Sequence, residues 1–305
     1  MPETPFFSIV IPTYNRSERL LAAVQSVLAQ GFGNFELLII DDGSTDNTPQ
    51  VIEAISDPRV QYHRQVNSER SAARNRGMEL SRGLYLCFLD SDDTLHPDYL
   101  QYLYHAAGSE AFPVCVLGPE LHFMQDGKPV KRKAPFPGDT GAADILAARE
   151  VISVIQCIHR DIYTSFRFDE RFSIWEDTHL FLRILVRYPY VPVPGAIAFV
   201  NMHSGSAVAG FFQRIRVNDC YRYTGAILDL LRYPPFGGPE FRPLVHAYAY
   251  AKIQMFIYQA LCNRQYAEAA ELLRYSVQFG KDRTYTLKTR VKILLGSYFR
   301  IHMNA

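Results

Sequence analysis

Cysteine is sparse and unpaired in this chain. The five residues Cys87, Cys115, Cys157, Cys220 and Cys262 include no CxxC pair, which argues against both a disulfide framework and a zinc site. Several lie in apolar runs, where free cysteine behaves as a small hydrophobe, so a reducing compartment is expected. No uninterrupted apolar run approaches the ~20 residues of a membrane span. Met1-Pro2-Glu3-Thr4-Pro5 lacks the positive start of a secretory signal, and together these absences predict a cytoplasmic protein. Glycine is scarce where a dinucleotide fold needs it. Gly31-Phe32-Gly33 is a fragment and not a G-x-G-x-x-G motif after a strand, which argues against a dehydrogenase. There is no internal repeat and no low-complexity segment.

Net charge is also nearly absent, at +1 over 305 residues, but the balance is uneven. Residues 1–205 carry 18 Lys+Arg against 25 Asp+Glu, and residues 206–305 carry 14 against 6. This asymmetry, with the change in pattern near residue 205, predicts two domains, 1–205 and 206–305. It also points to an anionic surface or partner for the second. A basic excess confined to the tail is weak support for nucleic-acid binding, and none is expected.

What the chain does have is carboxylate at strand ends. Phe7–Pro12, Glu36–Ile40, Val60–His63 and Tyr85–Leu89 read as buried strands. Ser17–Gln30, Thr48–Ser56 and Ser71–Ser81 read as helices between them, with Ser17 a plausible cap. Alternating strands and helices predict an α/β fold with a mainly parallel, doubly wound sheet. In such sheets ligands bind beyond the carboxyl ends of the strands. Thr13-Tyr14-Asn15, Asp41-Asp42 and Asp90-Ser91-Asp92-Asp93 all fall at that rim. Clustered carboxylates there suit Mg²⁺ or Mn²⁺ and, through the metal, phosphates. Taken alone, an Asp-Ser-Asp is equally a solvated turn; the convergence of three polar groups favours a site. Farther on, Val114–Leu117 reads as a strand, Asp126–Gly141 as a loop or lid, Thr178–Tyr188 as an amphipathic helix, and the chain from about Phe211 as helical.

Five segments in order carry a family resemblance: Ser8-Ile9-Val10-Ile11-Pro12-Thr13-Tyr14-Asn15, Ile40-Asp41-Asp42-Gly43-Ser44-Thr45-Asp46, Ala73-Arg74-Asn75-Arg76-Gly77, Leu89-Asp90-Ser91-Asp92-Asp93 and Trp175-Glu176-Asp177. Over roughly residues 6–205 the chain resembles the inverting family 2 glycosyltransferases of the GT-A fold, of the type that builds bacterial cell-surface polysaccharide. The resemblance implies a GT-A domain with a helical C-terminal extension. It also implies transfer of a hexosyl or N-acetylhexosaminyl unit from a nucleotide-sugar, a UDP-sugar above all, to a hydroxyl of a glycan or lipid-linked acceptor. By the same resemblance Asp92 ligates the metal, Asp90 approaches the ribose or the ion, Asp42 accepts a hydrogen bond from uracil, and Pro12, Thr13 and Tyr14 line the base pocket. Arg74 and Ser91 stand near the donor, with a salt bridge to one of the aspartates an alternative role for Arg74, and Asp93 either shares the metal or binds a sugar hydroxyl. Asp177 is the base, already ionised at a reference pKa of about 3.9, and Glu176 is the runner-up. His203, followed by Ser204-Gly205-Ser206, reaches back to the metal or diphosphate in parts of the family.

Two other readings compete. A nucleotidyltransferase also sets carboxylate-bound Mg²⁺ beside a nucleotide, but Pro12-Thr13-Tyr14-Asn15-Arg16 has no glycine for its phosphate loop. A non-catalytic nucleotide- or sugar-binding module needs no base such as Asp177. In the tail, Lys281, Arg283, Lys288, Arg290, Lys292 and Arg300 accompany an apolar stripe at helical spacing. The stripe fits either an anionic membrane, as for a peripheral protein on the inner face of the cytoplasmic membrane, or packing within the tail or against a second subunit.

Overall fold

A computed structural model describes residues 4–108, 114–203, 213–279 and 289. The chain divides into two compact units, residues 1–142 with 151–202 and residues 143–150 with 203–305. The basic tail segment lies outside the described residues apart from Thr289, as do Ser204, Gly205 and Ser206.

The first unit is built on a nine-stranded sheet: β1 (Phe7–Thr13), β2 (Phe35–Asp41), β3 (Val60–Arg64), β4 (Tyr85–Phe88), β5 (Thr94–Leu95), β6 (Val116–Gln125), β7 (Lys128–Lys133), β8 (Cys157–His159) and β9 (Tyr190–Asn201). The order is β3-β2-β1-β4-β8-β6-β9-β5, with β7 pairing β6. The β3-β2-β1-β4 half is parallel throughout. β8 runs antiparallel to both β4 and β6, while β6 and β9 are parallel. β1 and β2 are almost wholly buried, which accounts for their unbroken apolar runs: strands covered on both faces do not alternate.

Helices α1 (Ser17–Leu28), α2 (Thr48–Glu53), α3 (Glu69–Leu80), α4 (Tyr99–Ala107), α5 (Ala142–Ala148), α6 (Arg160–Tyr163) and α7 (Glu176–Leu185) follow in chain order, with α5 belonging to the second unit from residue 143 on. Ser17 is the first helical residue and not the cap; Arg16 holds the cap position, and the Ser17 N–H donates to Asp46 Oδ2 at 3.1 Å. Helix α3 lies directly on β1, since a Cβ on Gly77 would stand 2.3 Å from Val10 Cγ1.

Residues 126–141, expected as a loop, contain β7. Asp126 and Gly127 both have positive φ, 50° and 73°, and Gln125 pairs with Lys128 across them. That is the two-residue hairpin turn for which Asp-Gly is a strong signal, and the Pro and Gly content of the wider segment obscures it.

In the second unit, α8 (Val217–Asp229), α9 (Phe241–Cys262) and α10 (Tyr266–Ser276) surround a core of Ile215, Cys220, Ile253, Phe256, Ile257, Ala260, Ala269, Leu272 and Leu273. The Gln265 side chain clamps Ile215, accepting from its N–H and donating to its carbonyl, both at 2.8 Å. Among the described residues no helix is long and apolar enough to cross a membrane.

Candidate active site

The carboxyl ends of the parallel strands are level. Thr13 pairs with Asp41 and Asp41 with Arg64. β4 runs alongside with Phe88 opposite Val10, so residues 89–93 leave from the same edge. The sheet therefore gathers the three polar groups that are distant in sequence.

Adjacent aspartates diverge at the end of β2. Asp41 is fully buried and holds the turn together. Its Oδ1 accepts the Ser44 N–H at 2.8 Å and its Oδ2 accepts the Tyr62 hydroxyl. Ser44 Oγ accepts the Asn15 N–H at 2.9 Å, and Asn15 Oδ1 accepts the Thr45 N–H at 2.7 Å. The turn needs left-handed backbone at Gly43 (φ 82°) and Asn15 (φ 52°), residue types that tolerate it. Asp42 is anchored through one oxygen, with Oδ1 taking the Gln65 amide at 2.8 Å and the Ser68 N–H at 2.9 Å. Its Oδ2 meets no protein donor among the described residues. Beside it, Thr13 is buried with Oγ1 unpartnered, Pro12 is half-buried, and the Tyr14 ring is 47% exposed.

The carboxylates after β4 are held apart by arginines. Asp92 pairs with Arg16. Asp90 Oδ1 accepts from Arg74 Nη2 at 2.9 Å, and the other end of the same fork donates to Glu176 Oε1 at 2.8 Å. Ser91 is buried. Asp93 is buried and turned toward β9, accepting the Asn201 N–H at 2.8 Å, while Asn201 Nδ2 donates to the Asp92 carbonyl at 2.8 Å. Burial, then the charges of Asp90 and Asp92, push the Asp93 carboxyl up to about 8, against the pull of the Asn201 N–H and Arg16.

The Arg74 fork joins segments 102 residues apart and sets the first turn of α7 beside the strand-end carboxylates. Burial works against the Arg74 charge, but the carboxylates of Asp90, Glu176 and Asp177 outweigh it and hold the guanidinium more firmly protonated than usual. Trp175 enters the helix in the left-handed region (φ 63°), an uncommon conformation for a bulky residue and one found where surroundings impose it. Asp177 is half-buried, and its Oδ1 accepts the Thr178 N–H at 2.7 Å. Removal from water and the neighbouring Glu176 charge raise its pKa to about 7, with Arg74 and the Thr178 N–H opposing. The sequence alone gives an ordinary ionised aspartate here; desolvation makes it a group that titrates near neutrality.

Asn75 supports this arrangement from α3. Its amide donates to the Phe168 carbonyl at 3.0 Å and to Glu170 at 2.9 Å, and its carbonyl accepts the Phe168 N–H at 2.9 Å. His203 is half-buried and belongs to the second unit. Arg16, Gln65, Ser68 and Asn201 contribute to the site without having been singled out in the sequence. Arg16 directly follows Tyr14-Asn15, a usable signal; the other three are recruited across the fold and carry no local one.

Among the described residues no group of three His, Cys, Asp or Glu side chains is arranged to hold a metal. Asp90 and Asp92 nevertheless offer hard oxygens at one strand end. Such a sparse set fits Mg²⁺ or Mn²⁺, which take one or two carboxylates when substrate phosphates complete the shell.

Residues 8–165 match the family Glycosyl transferase family 2. The chain is 30% identical over 197 residues to the putative colanic acid biosynthesis glycosyl transferase WcaA of Escherichia coli, covering 62% of this chain and 69% of that protein. The amylovoran biosynthesis glycosyltransferase AmsB of Erwinia amylovora is 27% identical over 223 residues, covering 66% of this chain and 74% of that protein, whereas the putative glycosyltransferase EpsH of Bacillus subtilis is matched over 32% of its length. Among solved structures, S. aureus TarS 1–349 in complex with UDP-GlcNAc superposes with a TM-score of 0.61 at 16% identity, covering 88% of this chain and 90% of that one. The mannosyltransferase PcManGT of Pyrobaculum calidifontis, in complex with GDP-Man and Mn²⁺, gives 0.59 at 14% identity over 97% and 87%. At these identities the structural likeness establishes the fold, which is GT-A.

Proposed function

The chain belongs to glycosyl transferase family 2, and from that premise we propose that it is a metal-dependent, inverting glycosyltransferase using a UDP-sugar donor. The Glu176–Arg74–Asp90 ion-pair chain carries this reading, because it sets the first turn of α7, where burial and the Glu176 charge raise the adjacent Asp177 to about 7, beside the carboxylates at the strand ends. Asp42 binds the uracil edge through Oδ2, kept in place by Gln65 and Ser68. The Tyr14 ring lies against the base, and Thr13 Oγ1, buried without a partner, meets the nucleotide. The UDP-GlcNAc carried by TarS supports a uridine donor; the GDP-Man and Mn²⁺ of PcManGT support the metal.

Asp92 and Asp90 hold the ion, which when bound neutralises the departing diphosphate as a Lewis acid. Asp177 takes the proton of the acceptor hydroxyl as its oxygen forms a bond to the anomeric carbon. The bond to the diphosphate breaks on the opposite face, inverting the configuration. A base matched to the operating pH suits this step. Glu176 is the poorer base, since Arg74 occupies its carboxylate. The acceptor is a glycan or lipid-linked hydroxyl in polysaccharide assembly, as the colanic acid pathway assignment of WcaA suggests.

A screen of UDP-, GDP- and dTDP-sugars for released nucleoside diphosphate, with Mn²⁺, Mg²⁺ or chelator, tests the reading. Release from a UDP-sugar that chelator abolishes, and that Asp92→Asn lowers at fixed metal, is expected. Turnover indifferent to chelator would overturn the metal assignment, and a preference for GDP-sugars would overturn the role of Asp42.

A further inference from the structure

The first unit contains three lysines, and all of them are in β7: Lys128, Lys131 and Lys133. In a regular strand side chains alternate between faces, which would set Lys128 against the other two. The register shift between Phe123 and Met124 prevents this. Lys133 pairs with Leu121, Lys131 with Phe123, then Pro129 with Met124 and Lys128 with Gln125, leaving Val130 as the extra residue. Cross-strand partners share a face. Leu121, Phe123 and Gln125 lie on one face of β6, so the bulge brings all three lysines onto that face as a row. The ring contacts agree: Lys131 Nζ stands 5.7 Å from the Phe123 centroid. At about 3.3 Å per residue the row is roughly 15 Å long. Lys128 and Lys131 enter no ion pair with a carboxylate among the described residues.

The row also starts at the site. β6 extends past β8 to the carboxyl edge of the sheet, and β7 pairs with that extension. Met124 is paired with Asn201, whose N–H holds Asp93. The turn end of β7 therefore lies two strand spacings, about 10 Å, from the backbone that anchors the carboxylate cluster. A row of cations leading away from an acidic site, with Lys128 and Lys131 in no carboxylate ion pair among the described residues and in a unit whose other charges are mainly acidic, is complementary to an extended polyanion.

We propose that the lysine row of β7 is the docking track for the acceptor, and that the acceptor is a glycan chain bearing repeated carboxylates. This rests on the transferase reading above. Lysines also protect exposed edge strands from pairing with other chains. That role is served by charges on either face and does not call for a bulge that aligns them. A flat anionic membrane is less well matched, because Val130 is the one exposed large apolar side chain on the hairpin among the described residues and offers little to insert.

The test is fluorescence anisotropy with a labelled oligogalacturonate and a neutral maltooligosaccharide of equal length. The proteins are wild type, Lys128→Gln/Lys131→Gln and Lys128→Arg/Lys131→Arg, each at 20 and 300 mM NaCl. Lys133 is left in place because it donates to the Val151 carbonyl at 3.0 Å. The expected result is salt-sensitive binding of the oligogalacturonate alone, about tenfold weaker in the glutamine variant and restored by arginine. Equal binding by the glutamine variant would overturn the proposal, as would no binding by wild type. Aggregation of that variant with unchanged affinity would reassign the lysines to edge protection. Flotation with anionic vesicles in place of oligosaccharide binding would reassign them to a membrane. UDP-induced thermal stabilisation, read on the same samples, reports separately on the nucleotide site.

Discussion

Replacing Asp177 by asparagine should abolish turnover and make the protein more stable, with the gain confined to higher pH. The folded state lifts the Asp177 pKa from 3.8 to about 7. Between those values the folded chain binds a proton that the unfolded chain has released, so wild-type stability falls as pH rises through this window and levels off above about 7. Asparagine keeps the shape and the acceptor for the Thr178 N–H but carries no charge to desolvate. The full gap is worth at most about 4 kcal/mol. Asp177 is only half-buried, and solvent screening reduces the expected gain to about 1–2 kcal/mol at pH 8, or roughly 3–6 °C in Tm. At pH 4 the two proteins should melt together.

Differential scanning fluorimetry of both proteins at pH 4, 6 and 8 without nucleotide, with nucleoside diphosphate release measured at pH 8, checks both halves. A variant equally stable relative to wild type at all three pH values would show that Asp177 is solvated and not raised. A variant that keeps turnover would remove it as the base.

Glu176→Gln removes the charge that contributes most, after burial, to raising Asp177, so the acid limb of kcat/KM should move below pH 7 from its wild-type position near 7; an unmoved limb would disconnect the two carboxylates. Asp42→Asn turns the oxygen free for uracil into an amide donor and should weaken UDP binding about 10- to 100-fold by calorimetry, leaving apo stability little changed; undiminished affinity would place the base elsewhere. Gly77→Ala forces a Cβ to 2.3 Å from Val10 Cγ1 and should cost about 1–3 kcal/mol in urea unfolding; a gain in stability would mean that α3 can lift from β1 at no cost.

The parallel half of the fold was legible because its signals are local. The runs at residues 7–12, 36–40 and 85–89 are apolar on both faces, and the residues that end them are polar, so strand ends and site could be read together. Beyond residue 97 the signals conflict. Pro and Gly around residues 126–141 suggest a loop, yet Asp126-Gly127 is a hairpin turn and the lysines after it form a strand. Roles that depend on distant partners were not legible at all. Nothing near Arg74 in sequence points to Glu176, and nothing near Asp93 points to the Asn201 N–H that turns it toward β9. His203 was drawn into the site by resemblance, and the segment after it lies outside the described residues.

Glu176 and Asp177 are adjacent in sequence, both in the first turn of α7, where the helix dipole favours negative charge. Side-chain type and helix position therefore cannot assign them different roles; their surroundings can. One oxygen of Glu176 is fixed at 2.8 Å from a buried guanidinium, whereas Asp177 accepts the Thr178 N–H. After burial, the Glu176 charge is the next contribution lifting Asp177 to about 7. The pairing of Arg74 with the first carboxylate thus tunes the second. Because the same Arg74 fork also binds Asp90, any cation or diphosphate that changes the charge on Asp90 would act on Asp177 through one intervening side chain.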